Sequence, residues 1–362
     1  MINVIVIFGG NSTEHDISVI TGVEALHAMP IKGYNTEPVY LKDGNFYTGE
    51  ALYDVEFYKN FNIKALAKVV INNGVLYKVK KNKLVRYMDI DCALLATHGG
   101  DGEDGSLQGF LDLNNIPYTS SGVRECAICM DKELTKLVMR ALGVRVVFGK
   151  GISRTYTDDE LERIEKAYKL PLIVKPCSQG SSIGISKVSS HDKLKDALKL
   201  ASEFSDRILI EKGLVDFIEI NSACVEIDNE LILSELERPL SSSDILTFEE
   251  KYIGNGKGMG GGKHEFPANI SSELKEKILS ITEKVYRTLG LKGVVRIDYI
   301  IYKNIVFLNE INTIPGSLAH YLFDMSYTEF LKGMIEQAIA KGARKKIHLD
   351  TGVLGGLKTI RK

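Results

Sequence analysis

Apolar positions along the chain form short, dense runs separated by stretches of helical period. "NVIVIF" (3–8) reads as a buried strand that ends at Gly9-Gly10. "STEHDISVITGVEALHAM" (12–29) predicts a helix, with Ser12 or Thr13 as its cap. "NTEPVYL" (35–41) is a second strand, and 91–105 is a strand that empties into an acidic, glycine-rich loop. A helix over 106–115 and a short strand and turn over 116–122 follow. Strands alternating with helices, with glycine loops at the strand ends, predict a parallel sheet. Ligands bind beyond the carboxyl ends of such strands, where the loops 9–14 and 98–105 lie.

The rest of the chain has a different rhythm. A helix is predicted over 130–143, ending on Gly143. "LPLIVKPCSQGSSIGISKV" (170–188) reads as strand, glycine-serine turn and strand; an amphipathic helix (191–204) and another strand (207–214) complete a small α+β unit. Antiparallel strands are expected at 219–227 and 230–239, then a glycine-rich loop at 254–262 and a serine-capped helix over 271–290. Residues 296–316 read as two strands joined by a tight turn at Lys303-Asn304, and 327–342 as a final helix.

Composition narrows the function classes. A chain of 362 residues exceeds one core, so two or three domains are expected. A net charge of −1 gives no field that favours nucleic acid or an anionic membrane. No apolar run approaches a membrane span, and the N-terminus runs into Gly-Gly as a first strand, unlike a signal peptide. Five cysteines, an odd number, suggest reduced thiols and a cytoplasmic setting. Cys126 and Cys129 form a C-x-x-C pair without a partner pair, and read as buried helix residues.

Three stretches carry candidate chemistry. Asp298, Glu310 and Asn312 sit on strands that otherwise look buried, where a carboxylate is costly unless paired or bound to a metal. Adjacent strands would bring Asp298 and Glu310 side by side, and Asn312 shares a face with Glu310. These are hard oxygen donors suited to Mg²⁺; a salt-bridge network with Arg296 is the other reading. "VKPCSQGSSIG" (174–184) sets Lys175 at a strand end before a loop with Gly180, Ser181, Ser182 and Gly184. Such a loop can cradle phosphate or be a plain turn. Together with Lys132, Lys212 and the acid cluster it points to a nucleotide triphosphate site. "HGGDGEDGSLQG" (98–109) lacks the spacing of a calcium loop and reads as a turn that presents His98, structural or functional.

The motifs "GGNSTEHDIS", "HGGDGEDGSLQG", "MDKELTK", "VKPCSQGSSIG", "EEKY", "RIDY" and "NEINTIPG" stand in an order that resembles the ATP-grasp enzymes, and within them the D-alanine–D-alanine ligases. The resemblance covers almost the whole chain. It implies an N-terminal α/β substrate-binding domain (1–120) with a parallel sheet, followed by a two-subdomain α+β ATP-grasp fold, lid 121–213 and catalytic part 214–362. It implies a cytoplasmic homodimer whose small-molecule substrates are D-alanine and ATP, with two Mg²⁺ ions, or Mn²⁺, as cofactors. ATP phosphorylates the first D-alanine; the amine of the second attacks the acyl phosphate, giving D-alanyl-D-alanine for peptidoglycan.

Roles follow position by position from the resemblance. Lys132, Lys175 and Lys251 would hold phosphates, with Ser181 and Ser182 as loop donors. Glu211, Lys212 and Leu214 would meet adenine, Glu219 the ribose, and Asn309 also falls in the nucleotide set. Asp298, Glu310 and Asn312 match the metal ligands, and Glu14 and His98 the first-substrate site. Arg296 and the N–H of Gly316 would stabilise the oxyanion of the second step. Ser181, Tyr252 and Glu14 match a hydrogen-bonded link between lid and substrate site.

The chain also departs from the family's pattern. Tyr321 falls where a serine usually meets the second substrate's carboxylate, while Leu322 keeps the apolar neighbour. Thr97 replaces a leucine, and the Leu214–Glu219 segment is a residue longer. Tyr252 favours an amine acceptor; D-serine, another amino acid, or another substrate of an ATP-grasp relative are the alternatives.

Overall fold

The computed structural model describes residues 1–240 and 263–342, and among these the strands form three sheets. The first begins with β1 (Ile2–Gly9), α1 (His15–Ala28) and β2 (Tyr34–Lys42). Then come β3 (Asn45–Thr48), α2 (Val55–Lys59), β4 (Ala67–Asn72), β5 (Val75–Lys80), β6 (Lys83–Asp89), β7 (Cys92–Leu95) and α3 (Ser106–Leu113). Its order is β6-β5-β4-β3-β2-β1-β7. β1 is parallel to both β2 and β7, as the apolar runs predict. From β2 to β6 the strands pair antiparallel, a meander that the parallel-sheet expectation did not contain. Its turns are nonetheless written in the sequence: Asp43-Gly44 and Asn73-Gly74 both have positive φ, the conformation that closes two-residue hairpins.

Helix α1 starts at His15, three residues later than expected, and neither Ser12 nor Thr13 caps it. Ser12 Oγ instead donates to the carbonyl of His98 and accepts the N–H of Glu14, tying two loops together. The predicted helix over 130–143 is divided between α4 (Val123–Met130) and α5 (Lys132–Ala141). The carboxylate of Asp131 accepts the N–H groups of Glu133 and Leu134 and so starts the second helix. Cys126 and Cys129 are buried on α4, as expected.

The second sheet contains β8 (Gly149–Ser153), β9 (Leu172–Pro176), β10 (Ser186–Val188) and β11 (Arg207–Lys212), with α6 (Asp158–Ala167) and α7 (Leu194–Ser202). It is antiparallel and has its own small core, including Ile152, Leu161, Leu172, Leu198 and Ile208. The third joins β12 (Ile218–Ile227), β13 (Glu230–Leu240), β14 (Lys263–Glu265), β15 (Val295–Tyr302) and β16 (Ile305–Asn312), with α8 (Ser272–Leu289). Ile278, Val285 and Tyr286 of α8 pack with Ile297 and Tyr299 of β15. A 3-10 turn, Gly316–Leu322, leads to α9 (Tyr327–Lys341). That last helix returns to the first sheet: Phe330, Leu331, Met334 and Ile335 join its core. No described helix is long and apolar enough to cross a membrane.

Candidate active site

Strand β15 alternates strictly. Val295, Ile297, Tyr299 and Ile301 are buried, while Arg296 and Asp298 project from the other face. Lys303 and Asn304 at the β15–β16 turn both have positive φ, so the hairpin closes tightly and Asp298 stands directly opposite Glu310. Arg296 grips Asp298 with two bonds, Nε to Oδ1 at 2.7 Å and Nη2 to Oδ2 at 2.9 Å. Asn312 Nδ2 donates to Asp298 Oδ2 at 3.1 Å, leaving its carbonyl oxygen as a further donor atom. Lys132, the first residue of α5, approaches Glu310 Oε2 at 3.8 Å and also donates to the carbonyl of Gln179. The oxygens of Asp298, Glu310 and Asn312 thus converge, and the salt bridge with Arg296 is present at Asp298.

A second charged cluster lies behind it. Glu211 is 4% exposed and is held between Lys175, 2.6 Å from Oε2, and Lys136 on the other oxygen. Burial alone would push the Glu211 carboxyl up; the two lysines outweigh it and hold it down at about 2. Burial lowers the pKa of Lys136 against the attraction of Glu211. Lys136 was missed from the sequence, although it lies one helical turn beyond Lys132 on the same face. Glu211 therefore presents an already neutralised carboxylate to the cleft.

The glycine-serine loop meets the loop that follows β1. Ser181 and Ser182 both have positive φ, and Ser181 Oγ donates to Glu14 Oε1. A Cβ at Gly180 would sit 2.6 Å from Glu14 Oε2, so a larger residue would have to displace that carboxylate. His98 is buried: Nδ1 lies 2.7 Å from the carbonyl of Ile314, and Nε2 lies 2.8 Å from Thr21 Oγ1. Burial lowers its pKa, so the ring is neutral with its proton on Nδ1, and Nε2 accepts from Thr21. Thr21 Oγ1 also accepts the N–H of Ser317. Glu103, another residue missed from the sequence, accepts the N–H groups of Gly99, Thr313 and Ile314. Burial and the charge of Glu14 push its carboxyl up to about 7.

At the far end, Tyr321 Oη donates to Glu237 Oε2 at 3.2 Å. Leu322 does not reach the cleft; left-handed backbone at Ser317, Leu318 and Ala319 turns the chain so that Leu322 packs into the core, 1% exposed. The other described candidates meet in two adjoining hollows. One is lined by Glu14, His98, Ser181, Arg296, Asn312, Gly316 and Tyr321, the other by Lys175, Ser182, Glu211, Lys212, Leu214 and Asn309. Lys132, Glu219, Asp298 and Glu310 line both. Lys251 and Tyr252 lie outside the described residues.

Residues 3–121 match the family model described as D-ala D-ala ligase N-terminus, and 138–339 that of the D-ala D-ala ligase C-terminus. A relative named D-alanine–D-alanine ligase, from Thermosipho melanesiensis, is 36% identical over 98% of both chains. Among solved structures, the VanG D-Ala:D-Ser ligase from Enterococcus faecalis is 27% identical with a TM-score of 0.80, covering 93% of this chain and 99% of that one. D-Alanine-D-alanine ligase from Helicobacter pylori is 26% identical with a TM-score of 0.77, covering 96% and 100%.

Proposed function

The chain belongs to the D-alanine–D-alanine ligase family, and from that premise we propose that it joins two D-alanines in a reaction driven by ATP and a divalent metal. The observation that carries this reading is the facing pair Asp298 and Glu310, with Asn312, beside the phosphate-type loop and its lysines. Among the described residues no three His, Cys, Asp or Glu side chains gather into a metal site of their own. Two carboxylates and an amide suit Mg²⁺, which usually shares one or two carboxylates with substrate phosphates. Asp298, Glu310 and Asn312 would hold two Mg²⁺ ions, or Mn²⁺. Once bound, the cations neutralise phosphoryl charge.

The chain's own residues supply the rest. Lys132 and Lys175 hold the phosphates; Ser181 and Ser182 donate to them from the loop. Leu214, Lys212 and Asn309 line the base pocket, and Glu219 takes the ribose. Glu14 binds the ammonium of the first D-alanine. His98, neutral and fixed by Thr21 and Ile314, shapes that site without adding charge. After the carboxylate becomes an acyl phosphate, Arg296 and the N–H of Gly316 stabilise the oxyanion formed by amine attack. The Ser181–Glu14 bond closes the loop over the site and excludes water. A domain division at 120 and 213 and a homodimer are part of the same proposal. The three sheets support the division, although residues around Met139 and Val144 pack with the third sheet's core.

Two observations favour a second reading, with D-serine as acceptor: Tyr321 stands where the family pattern has a serine, and the solved VanG structure is that of a D-Ala:D-Ser ligase. ADP formation with D-alanine alone and with D-alanine plus D-serine, followed by product mass, tests both. Absence of ADP in every mixture, D-lactate included, would overturn the ligase reading.

A further inference from the structure

One buried cation has no part in the roles above. Lys136 on α5 is 1% exposed, among the largest fully buried side chains of the described residues. It shares the buried face of α5 with Lys132, Thr135 and Met139. Its Nζ pairs with Glu211 and donates to the carbonyl of Val147 at 3.4 Å. Glu211 and Val147 both line the hollow that contains Lys175, whereas Lys136 touches that wall from behind and does not line it.

Burying an ammonium is costly, and one lysine is enough to neutralise one carboxylate. Glu211 nonetheless has two, Lys175 at 2.6 Å from Oε2 and Lys136 on Oε1. The fold makes room for the carboxylate there: a Cβ at Gly149, its partner across the strand pair, would sit 2.9 Å from Glu211 Cγ. Burial would raise the Glu211 carboxyl, and of the charges that hold it down Lys136 comes first and Lys175 second.

The consequence falls on Lys175. Its ammonium is proposed to hold phosphate, yet it already faces a carboxylate, and an arriving phosphate meets that like charge beside it. Two ammoniums and one carboxylate leave one positive charge, and Lys175 is the member of the two that opens onto the hollow. Without Lys136, the pair of Lys175 and Glu211 would be neutral, and its attraction for an anion would fall.

We propose that Lys136 is a positioning residue of the nucleotide site: it takes up the charge of Glu211 and so leaves the charge of Lys175 to the phosphates of ATP. It acts through Glu211 and does not touch the nucleotide. This rests on the ATP-binding reading above.

The test measures binding by calorimetry, on the full-length wild type and Lys136→Met, with ADP plus Mg²⁺ and with adenosine, which lacks phosphate. Methionine keeps an unbranched, buried side chain and removes the charge. ADP is expected to bind the variant about tenfold more weakly, the range of one hydrogen bond to a charged group, while adenosine binds both proteins equally. In turnover, the KM for ATP should rise and the KM values for D-alanine should not. Glu211→Gln removes the charge through which Lys136 acts, so adding Lys136→Met to it should change ADP affinity by less than about twofold. An unchanged ADP affinity in Lys136→Met overturns the proposal. So does an equal loss for ADP and adenosine, the mark of a collapsed pocket, and so does the full loss persisting beside Glu211→Gln, the mark of a direct effect. Should Lys136→Met fail to fold, Lys136→Gln is read by the same criteria; should Glu211→Gln fail to fold, ADP against adenosine decides. A wild type that does not bind ADP overturns the parent reading instead.

Discussion

Ser181 and Glu14, 167 residues apart in the chain, are joined by a hydrogen bond from the serine hydroxyl to the glutamate carboxylate. The bond links the glycine-serine loop of the second sheet to the loop that follows β1. On the proposed roles, the phosphate loop is thereby coupled to the first-substrate site.

Ser181→Ala removes that link and leaves the sheets intact. Loss of one hydrogen bond to a charged group costs about 1.5–3 kcal/mol. The expected result is a KM for the first D-alanine raised roughly tenfold or more, with an unchanged melting temperature. Gly180→Ala should act in the same direction, since its Cβ would come within 2.6 Å of Glu14 Oε2 and displace the carboxylate.

Glu211→Gln removes the only negative charge between Lys136 and Lys175 among their described ion-pair partners. Breaking a buried ion pair from one side typically costs about 3–5 kcal/mol. Urea or thermal unfolding should show a loss of that order. In the wild type the carboxyl sits at about 2 in the fold against an ordinary 4.5, so its contribution is present in full above pH 4.5. It is lost as pH falls through about 2, and the variant should lack that part of the acid transition.

Glu103 titrates in the opposite sense. Its carboxyl is pushed up to about 7 from an ordinary 4.5, so the unfolded chain releases this proton first. Stability contributed by the group therefore falls as pH rises from 4.5 to about 7. Glu103→Gln should flatten this slope when melting temperatures are compared across that window. A variant as pH-dependent as the wild type would contradict the assignment.

Asp298→Asn keeps the size of the side chain and removes a charge proposed to hold the metal. ATP turnover should fall by at least about a hundredfold, a loss of some 2.7 kcal/mol in transition-state stabilisation. A Mg²⁺ titration should show a raised requirement. Because Arg296 pairs with Asp298, the variant should also weaken the second step, visible as acyl phosphate trapped by hydroxylamine.

Sequence alone determined whatever depends on local period and on short motifs. The apolar run of β1, the hairpin ending in Glu310 and Asn312, and the glycine-serine loop are local patterns, and each is found where the pattern put it. The Asp43-Gly44 and Asn73-Gly74 turns of the β2–β6 meander are equally local signals, outweighed by the apolar runs that mark a parallel sheet. Only the tertiary structure decided which distant groups meet. Nothing local brings Glu103 to the backbone of Thr313, Lys136 to Glu211, or Tyr321 to Glu237. Those contacts arise because three sheets pack together and because α9 folds back onto the first of them. Periodicity fixes the face on which a side chain lies; the charge it faces across a cleft is fixed only when separate cores are packed together.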